Sequence, residues 1–103
     1  MANKKTVYMF ISSGVDPKIH RNSILRPSGK ELITIGVKDY NQGAAVAREL
    51  IKEGVVAISL CAGFGSIGVS MISKAVERKI PVGVVRFDYH PSLNFKSGDE
   101  LFQ

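Results

Sequence analysis

The sequence contains few of the residues that disulfides, metal sites and redox centres require. It has one cysteine, two histidines and no tryptophan among 103 residues. A single cysteine excludes an internal disulfide, and since no export signal is recognisable at the start of the chain, we expect a cytoplasmic protein. The cysteine and histidines are scattered and the carboxylates show no ligand spacing, so we expect neither a metal nor a resident cofactor.

Long hydrophobic runs and clustered charge are also missing. No apolar run approaches the roughly 20 residues of a membrane-spanning helix, so we expect no membrane partner. The formal net charge is +5, but the basic residues are spread along the chain and many adjoin acids, which argues against a nucleic-acid partner. One acid-free basic stretch predicts either a solvated face or an anion clamp; it contains Lys18, Arg21, Arg26 and Lys30.

Apolar and amphipathic segments alternate along the chain. The length and the 45% hydrophobic content indicate a single domain over residues 1–103, with residues 89–103 as a C-terminal tail. The pattern predicts strands at 6–12, 31–37, 55–61 and 80–87, and helices at 16–25, 42–53 and 67–78.

Strict alternation of strands and helices predicts the fold class. We expect an α/β domain of three α/β/α layers with a four-stranded, mainly parallel sheet, similar to a flavodoxin-like or Rossmann-like half. The predicted spatial order is 2-1-3-4, because it places the two most apolar strands in the middle and the more polar second strand at an edge. Asp16-Pro17 and Asp39 are typical helix starts, and Gly54 is typical of a helix end.

The stretch from Ile58 to Gly68 has the most specific pattern, because an apolar strand runs into a glycine turn that opens an amphipathic helix. Unpaired amides at a helix start attract anions, glycines with positive φ permit close approach of a ligand, and Ser66 is a candidate helix cap. Gly63-Phe-Gly65-Ser-Ile-Gly68 also fits the dinucleotide pattern, with Asp88 twenty residues further on.

Three interpretations of this turn stay open. The chain is far shorter than two nucleotide-binding halves, and Pro81 opens the next strand, so a dinucleotide site is disfavoured. An anion or a nucleotide fragment fits better. The glycines could also serve only a tight strand-to-helix turn.

The predicted strand order gathers several of these residues in one crevice, since ligands bind beyond the carboxyl ends of parallel strands where the order reverses. Arg21 would pair with an anion, Phe64 would cover its apolar part, and Arg86 would line the outer wall. The candidate ligand-binding residues are Ser13, Gly14, Arg21, Gly63, Phe64, Gly65, Ser66 and Asp88.

Cys61 is the candidate catalytic residue, with His20 as its assistant. It lies just ahead of a helix start that could lower its pKa, so a thiolate and imidazole pair is one hypothesis. The alternative is an inert cysteine packed as a small hydrophobe. The apolar side chains of the tail need cover, either on the chain's own sheet edge or on a second subunit, so a homo-oligomer is expected.

Three motifs carry a resemblance to a known family: Asp16-Pro-Lys-Ile-His20-Arg21, Leu60-Cys-Ala-Gly-Phe-Gly65 and Pro81-Val-Gly-Val84. Over nearly its whole length the chain resembles a family of small prokaryotic α/β proteins catalogued as a domain of unknown function. In that family the place of Ser59 often holds glutamate and the place of Ala62 glycine. The resemblance implies a compact α/β fold and a shared site around His20, Arg21, Cys61 and residues 63–65, without implying an activity.

The sequence thus supports three functional hypotheses. The first is a binding protein for a small anionic metabolite or nucleotide fragment at the glycine turn. The second is an enzyme that uses Cys61 with His20. The third is a non-catalytic oligomeric domain without a ligand.

Overall fold

Strands and helices follow the apolar pattern except between residues 12 and 30. The computed structural model describes residues 4–103, so residues 1–3 of the predicted domain lie outside the described part. It contains β1 (Lys5–Ile11), β2 (Arg21–Leu25), β3 (Glu31–Val37), α1 (Tyr40–Lys52), β4 (Val55–Leu60), α2 (Ser66–Ala75), β5 (Val82–Val84), a 3-10 helix (Pro91–Leu93) and α3 (Gly98–Phe102).

The strands form one mixed sheet in the order β2-β3-β1-β4-β5. β3, β1, β4 and β5 are parallel, and β2 runs antiparallel to β3. These four parallel strands are the four that the sequence predicts, and their order is the predicted 2-1-3-4. The predicted strand number is wrong, because β2 adds a fifth strand outside the expected edge.

The helix predicted at residues 16–25 is absent from the structure. One turn forms, in which the amides of Ile19 and His20 donate to the Asp16 carbonyl, and the chain then enters β2. The reason lies in Pro27-Ser-Gly29, which is a hairpin turn rather than a helix end. Gly29 has φ of 84°, as a three-residue hairpin loop requires, and long-range pairing with β3 overrides the weak local helix signal.

The helices lie on one side of the sheet, because α1 contacts α2 and α2 contacts α3. The β3-α1-β4 and β4-α2-β5 connections step across the sheet in the same direction, so right-handed crossovers place both helices on the same face. The step from β1 to β3 runs the other way and would carry a helix on the opposite face. A hairpin strand replaces that helix, so the predicted three layers are reduced to two.

The hydrophobic core lies between the sheet and these helices. Along β1, Val7, Met9 and Ile11 are buried while the residues between them are half-buried. Such alternation is typical of a sheet that is covered on one face only. Gly43 permits close packing of α1, because a Cβ there would contact Ile72, Met9 and Phe64.

The strand register places the residues that alternate with these on the second face of the sheet, here called the open face. Phe10 partly covers it, since a Cβ at Gly36 would lie 2.6 Å from its ring. Arg26 also lies over this face, because its Nη2 donates to Thr6 Oγ1 at 3.4 Å. The strand residues of the open face are Thr6, Tyr8, Phe10, Asn22, Ile24, Leu32, Thr34, Gly36, Ala57, Ser59 and Gly83.

Helix α1 begins and ends close to the predicted positions. Asp39 is its N-cap and accepts from the Gln42 amide at 2.8 Å. Gly54, with φ of 90°, follows the last turn. Both predictions are confirmed, because capping depends on residues adjacent in sequence.

The tail docks on its own chain, although on the glycine turn rather than on a sheet edge. Gly98 is buried, and Phe102 packs against the core. Tyr89 and Phe95 remain 75% and 68% exposed. None of the helices in residues 4–103 is long and apolar enough to span a bilayer.

Candidate functional site

The glycine turn connects β4 to α2, as the sequence predicts. Gly65 is the N-cap residue of α2 and has extended backbone dihedral angles. Ser66 is the first helical residue, and no side chain of the turn caps the helix. The predicted capping role of Ser66 is therefore wrong, and the first amides of α2 depend on a partner from elsewhere.

That partner is the carboxylate of Asp99 in the tail. The Ile67 amide donates to its Oδ2 at 3.2 Å, and the Gly68 amide donates to its Oδ1 at 3.3 Å. The Tyr40 hydroxyl lies 2.8 Å from the same Oδ1. The chain's own carboxylate thus occupies the anion position that the sequence predicts at the start of this helix.

The glycines of the turn provide space for the chain itself. Gly63 and Gly65 do not have the positive φ that the sequence suggested; among residues 4–103, only Gly14, Gly29 and Gly54 are glycines with positive φ. A Cβ at Gly65 would lie 2.5 Å from the Asp99 carboxyl carbon. The same approach that glycines allow to a bound phosphate is used here by an internal carboxylate.

Gly68 has a comparable role. A Cβ at this position would lie 2.6 Å from the ring of Tyr40. Gly63, for its part, packs closely against Ile11. Contacts within the chain therefore account for all three glycines of the dinucleotide pattern.

Tyr40 joins the turn, the tail and helix α1. Its ring is fully buried and stacks on Phe64, with centroids 5.5 Å apart and planes inclined by 19°. Its hydroxyl accepts from the Gly65 amide at 3.0 Å and lies 3.3 Å from the Gly63 carbonyl oxygen. Burial, and then the hydrogen bond with Asp99, raise the pKa of Tyr40 above its usual range, so the hydroxyl remains protonated.

A cleft of about 510 Å³ opens beside Asp99. Four predicted ligand-binding residues lie in its wall, namely Phe64, Gly65, Ser66 and Asp88. The rest of its wall combines apolar and charged groups, which are Val69, Val84, Arg86, Phe87, Tyr89, Ser97, Asp99 and Glu100.

The basic group of this cleft is Arg86, whose Nε donates to Asp88 Oδ1 at 2.9 Å. Both side chains are mostly exposed, so this pair is weak and can rearrange. Arg86 is therefore the cation best placed to meet an anionic ligand in the cleft.

A second cavity, of about 310 Å³, contains the predicted catalytic residue Cys61. Tyr8, His90 and Ser92 line it as well. The Ser92 amide donates to His90 Nδ1 at 3.1 Å, so the proton of the neutral ring is on Nε2. Burial, and then the charge of a Cys61 thiolate, raise the pKa of Tyr8.

His20 lies apart from Cys61. Its carbonyl oxygen accepts from the Gly36 amide, which places its backbone in line with β2. Three strand spacings separate β2 from β4, or about 14 Å. The structure therefore does not bring the predicted pair together, and His90 takes the place beside Cys61 that the sequence assigned to His20.

Arg21 is likewise remote from the glycine turn. It pairs with Glu53 through two hydrogen bonds, of 3.2 and 2.6 Å. The hydrogen bond from Arg21 is the main cause that lowers the pKa of Glu53. The predicted role of Arg21 as an anion partner at the turn is not supported by this position, which ties β2 to the end of α1.

Ser13 and Gly14 follow β1 as predicted but lie at a third opening. Ser13 lines a cleft of about 490 Å³ together with Leu93 and Phe102. Gly14 is in the adjacent turn, with φ of 77°. The tail separates these residues from the cleft beside Asp99.

Four residues of these sites are not predicted from the sequence, namely Asp99, Tyr40, Tyr8 and His90. A signal for Asp99 existed, because Ser97-Gly-Asp-Glu100 fits a capping box, and the Ser97 amide donates to Glu100 Oε2 at 2.9 Å. That motif predicts α3 but not where α3 docks. No local signal marks Tyr40 or His90, since their partners are distant in sequence or depend on the path of the tail.

Within residues 4–103, no group of three or more His, Cys, Asp or Glu side chains is arranged to hold a metal ion. No curated protein and no solved structure matches the chain. A family model matches residues 4–100, that of the family of unknown function DUF6506. This match confirms the resemblance to a family of unknown function that the sequence indicated.

Proposed function

Because the chain belongs to the DUF6506 family, whose function is unknown, we propose from its geometry that it binds a small molecule with an anionic group beside the glycine turn. The anionic group competes with Asp99 for the amides of Ile67 and Gly68 and for the Tyr40 hydroxyl. A carboxylate, a phosphate or the phosphate of a nucleotide fragment has the required chemistry.

The observation that carries this proposal is the position of the Asp99 carboxylate. Three donors from two helices converge on it. The donors are held by α2 and by a buried tyrosine, so they keep their geometry when the carboxylate leaves. An anion that arrives there meets preorganised donors and the positive end of the α2 dipole.

The adjoining cleft supports a ligand larger than a free anion. Its volume of about 510 Å³ lies within the usual range for small-molecule sites. Phe87 and Tyr89 offer apolar surface to the body of a ligand, and Arg86 adds a cation at the rim. The acidic lining residues disfavour a ligand with several negative charges unless Asp99 moves away.

Release of Asp99 requires a change of its side-chain rotamer or a shift of the five-residue helix α3, in which it lies. Its hydrogen bonds to the turn are intramolecular, so an external anion must overcome an effective concentration on the order of millimolar. We therefore expect weak binding of simple anions by the native chain.

The decisive experiment neutralises Asp99 and titrates the protein with inorganic phosphate and with adenosine monophosphate. In Asp99→Asn, we expect both anions to shift the amide NMR signals of Ile67 and Gly68. The concentrations needed should be at least about tenfold lower than for the native chain, because the internal competitor has lost its charge.

Glu77→Gln is the matched control, because it removes the same charge from a residue beyond the other end of α2, where Glu77 pairs with Lys79. It should leave the phosphate titration of Ile67 and Gly68 close to that of the native chain. If neither anion shifts these two amides in folded Asp99→Asn, Asp99 acts only as a distant helix cap and the proposal is wrong.

The cavity around Cys61 favours a second candidate function, thiol chemistry. We propose that the Nε2 proton of neutral His90 stabilises a Cys61 thiolate, with Tyr8 as a further donor. The shared cavity supports this pairing. The experiment is the rate of alkylation of Cys61 by iodoacetamide across pH 6–9.

For the thiol function, His90→Ala should slow alkylation near neutral pH, whereas His20→Ala should not. Each variant must retain native circular dichroism for the comparison to hold. Equal rates in the native chain and both variants would leave Cys61 as an inert packing residue.

A further inference from the structure

The two edges of the sheet differ in their protection against a further strand. At one edge, β5 has three residues and directly follows Pro81, and short strands and prolines commonly protect sheet edges. At the other edge, β2 has five residues, all of them exposed, and it contains no proline. Among residues 4–103, β2 pairs with β3 alone. Its outer edge is therefore the one that can accept another strand.

The hydrogen bonds to β3 identify the free backbone groups of β2. In an antiparallel pair, alternate residues bond the neighbouring strand. The His20 carbonyl oxygen accepts from the Gly36 amide, and the Arg26 amide donates to the Lys30 carbonyl oxygen, so the even-numbered residues bond β3. The odd-numbered residues direct their amides and carbonyl groups outward; these are Arg21, Ser23 and Leu25.

A side chain of β2 already bonds one of these outward groups. Asn22 Oδ1 accepts from the Ser23 amide at 2.9 Å, as the carbonyl group of an adjoining strand would. This contact joins adjacent exposed residues, so an added strand can replace it without disturbing the pairing with β3. The edge thus has the alternating donors and acceptors that an extended peptide recognises.

Cations flank this edge at both ends. Lys18 precedes β2, and Arg26 and Lys30 follow it, all within the acid-free basic stretch of the sequence. Arg21, the fourth cation of that stretch, pairs with Glu53. In the part of the chain that the structure describes, no carboxylate forms an ion pair with the other three. Their positive charge is therefore available to a partner.

We infer that β2 binds an extended acidic peptide segment, which adds to the sheet as an antiparallel strand. Acidic side chains at the ends of the segment meet Arg26 and Lys30 at one end and Lys18 at the other. Apolar side chains between them cover Ile24 and Leu25, which are 62% and 67% exposed. This surface is separate from the proposed ligand site, because two strands lie between β2 and β4.

Charge and backbone chemistry together select this occupant. A second copy of the chain would bring the same cations to the edge, where like charges repel. A nucleic acid would satisfy the cations, but its phosphates only accept hydrogen bonds and leave the outward carbonyl groups of β2 unpaired. Residues 18–30 also contain no Phe, Tyr or Trp on which bases could stack.

An NMR titration of the full chain with synthetic peptides of about eight residues, long enough to span β2 and the flanking cations, tests the inference. The first peptide has glutamates at both ends and valines and threonines between them. It should shift the amide signals of Arg21, Ser23 and Leu25. A second peptide has the same side chains but N-methylated internal amides, so its dissociation constant should be at least about tenfold higher.

Variants of the chain separate the contributions of backbone and charge. Ser23→Pro removes the central outward amide and should abolish binding, whereas Asn22→Ala removes the internal competitor and should tighten it. Arg26→Gln should raise the dissociation constant about threefold. Lys74→Gln removes the same charge from the last turn of α2 and should leave it unchanged. Each variant must keep native circular dichroism, and if Ser23→Pro does not, the peptide pair and Asn22→Ala decide.

Four results would overturn the inference. The first is no binding at about 5 mM peptide, a range that covers even a small and weak interface. The second is equal binding of the two peptides, because charge alone would then account for it. The third is a single-stranded oligothymidylate that shifts the same amides at lower concentration than the first peptide. The fourth is a dimer in sedimentation velocity that Ser23→Pro abolishes, which would assign the edge to a second copy.

Discussion

The two longer helices satisfy their first amides in different ways. Helix α1 uses Asp39, which precedes it directly and bonds the Gln42 amide. Helix α2 begins at a glycine without a cap, and its amides bond Asp99, more than thirty residues further along the chain. A local cap is part of the helix, whereas our proposal requires that the distant cap is exchanged for a ligand.

The largest expected effect comes from breaking the distant cap through the backbone. Gly98→Ala places a Cβ against the Gly63 carbonyl group, so α3 must shift and take Asp99 with it. We expect the free energy of unfolding to fall by about 1–3 kcal/mol, measured by urea denaturation. Gly83→Ala is the control, because nothing lies within 4 Å of its added Cβ; an equal loss in both variants would contradict close packing at Gly98.

The next effect concerns the hydroxyl that links both helices to the tail. Tyr40→Phe removes a buried donor and acceptor and leaves the Gly65 amide with one partner fewer. The expected loss in the free energy of unfolding is about 1–2 kcal/mol. Urea denaturation measures this loss, and an unchanged free energy of unfolding would contradict the buried hydrogen bonds of Tyr40.

The raised pKa of Tyr40 also predicts how the free energy of unfolding depends on pH in alkaline solution. The pKa of Tyr40 is raised in the folded state above the ordinary value of 10.0, so its contribution is complete below pH 10 and declines at higher pH, as the unfolded chain ionises. Between pH 9 and 11, the native chain should lose more stability than Tyr40→Phe. Parallel declines would show that Tyr40 is not the group responsible.

The local cap should have a smaller and independent effect. Asp39→Ala should lower the free energy of unfolding by about 1 kcal/mol, and Asp39→Ser should restore most of it, because serine also caps helices. Phosphate should stabilise Asp99→Ala against heat more than it stabilises Asp39→Ala. A similar phosphate response in both variants would mean that the two helix starts do not differ in the proposed way.

The smallest effect is expected at the other end of α1. Glu53→Gln breaks the ion pair with Arg21, in which each side chain is about one-third exposed. We therefore expect the free energy of unfolding to fall by less than about 1 kcal/mol, and the difference should disappear in high salt. The pKa of Glu53 is lowered below 4.5. The contribution is thus complete above pH 4.5 and is lost as pH falls through the folded-state value. A salt-independent loss would indicate lost packing.

Much of the fold could be predicted because its signals are local. Asp39 and Gly54 mark the ends of α1, and the apolar runs locate β1, β3 and β4. The misread segment, residues 16–25, has an equally local helix start at Asp16-Pro17. It does not form a helix, because Pro27-Ser-Gly29 closes a hairpin between β2 and β3. The stability of this hairpin depends on pairing with β3, which lies outside the segment.

The candidate site was predicted less completely for a related reason. The sequence predicts close approach of a ligand at Gly63 and Gly65, but a glycine pattern does not identify what approaches. Here Asp99 and Tyr40 fill that space. Cys61 was placed correctly at the strand end, while its neighbour His90 depends on how the tail returns across the sheet.

The sequence by itself determined the four parallel strands and the unpaired first amides of α2, since these follow from apolar periodicity and from the geometry of a helix start. The predicted strand order is confirmed as well. Only the tertiary structure decided that β2 replaces a helix, that one sheet face stays open and that Asp99 holds the amides of α2. These three features depend on contacts between segments far apart in the chain. Their energies arise only when the chain is folded, so no local pattern encodes them.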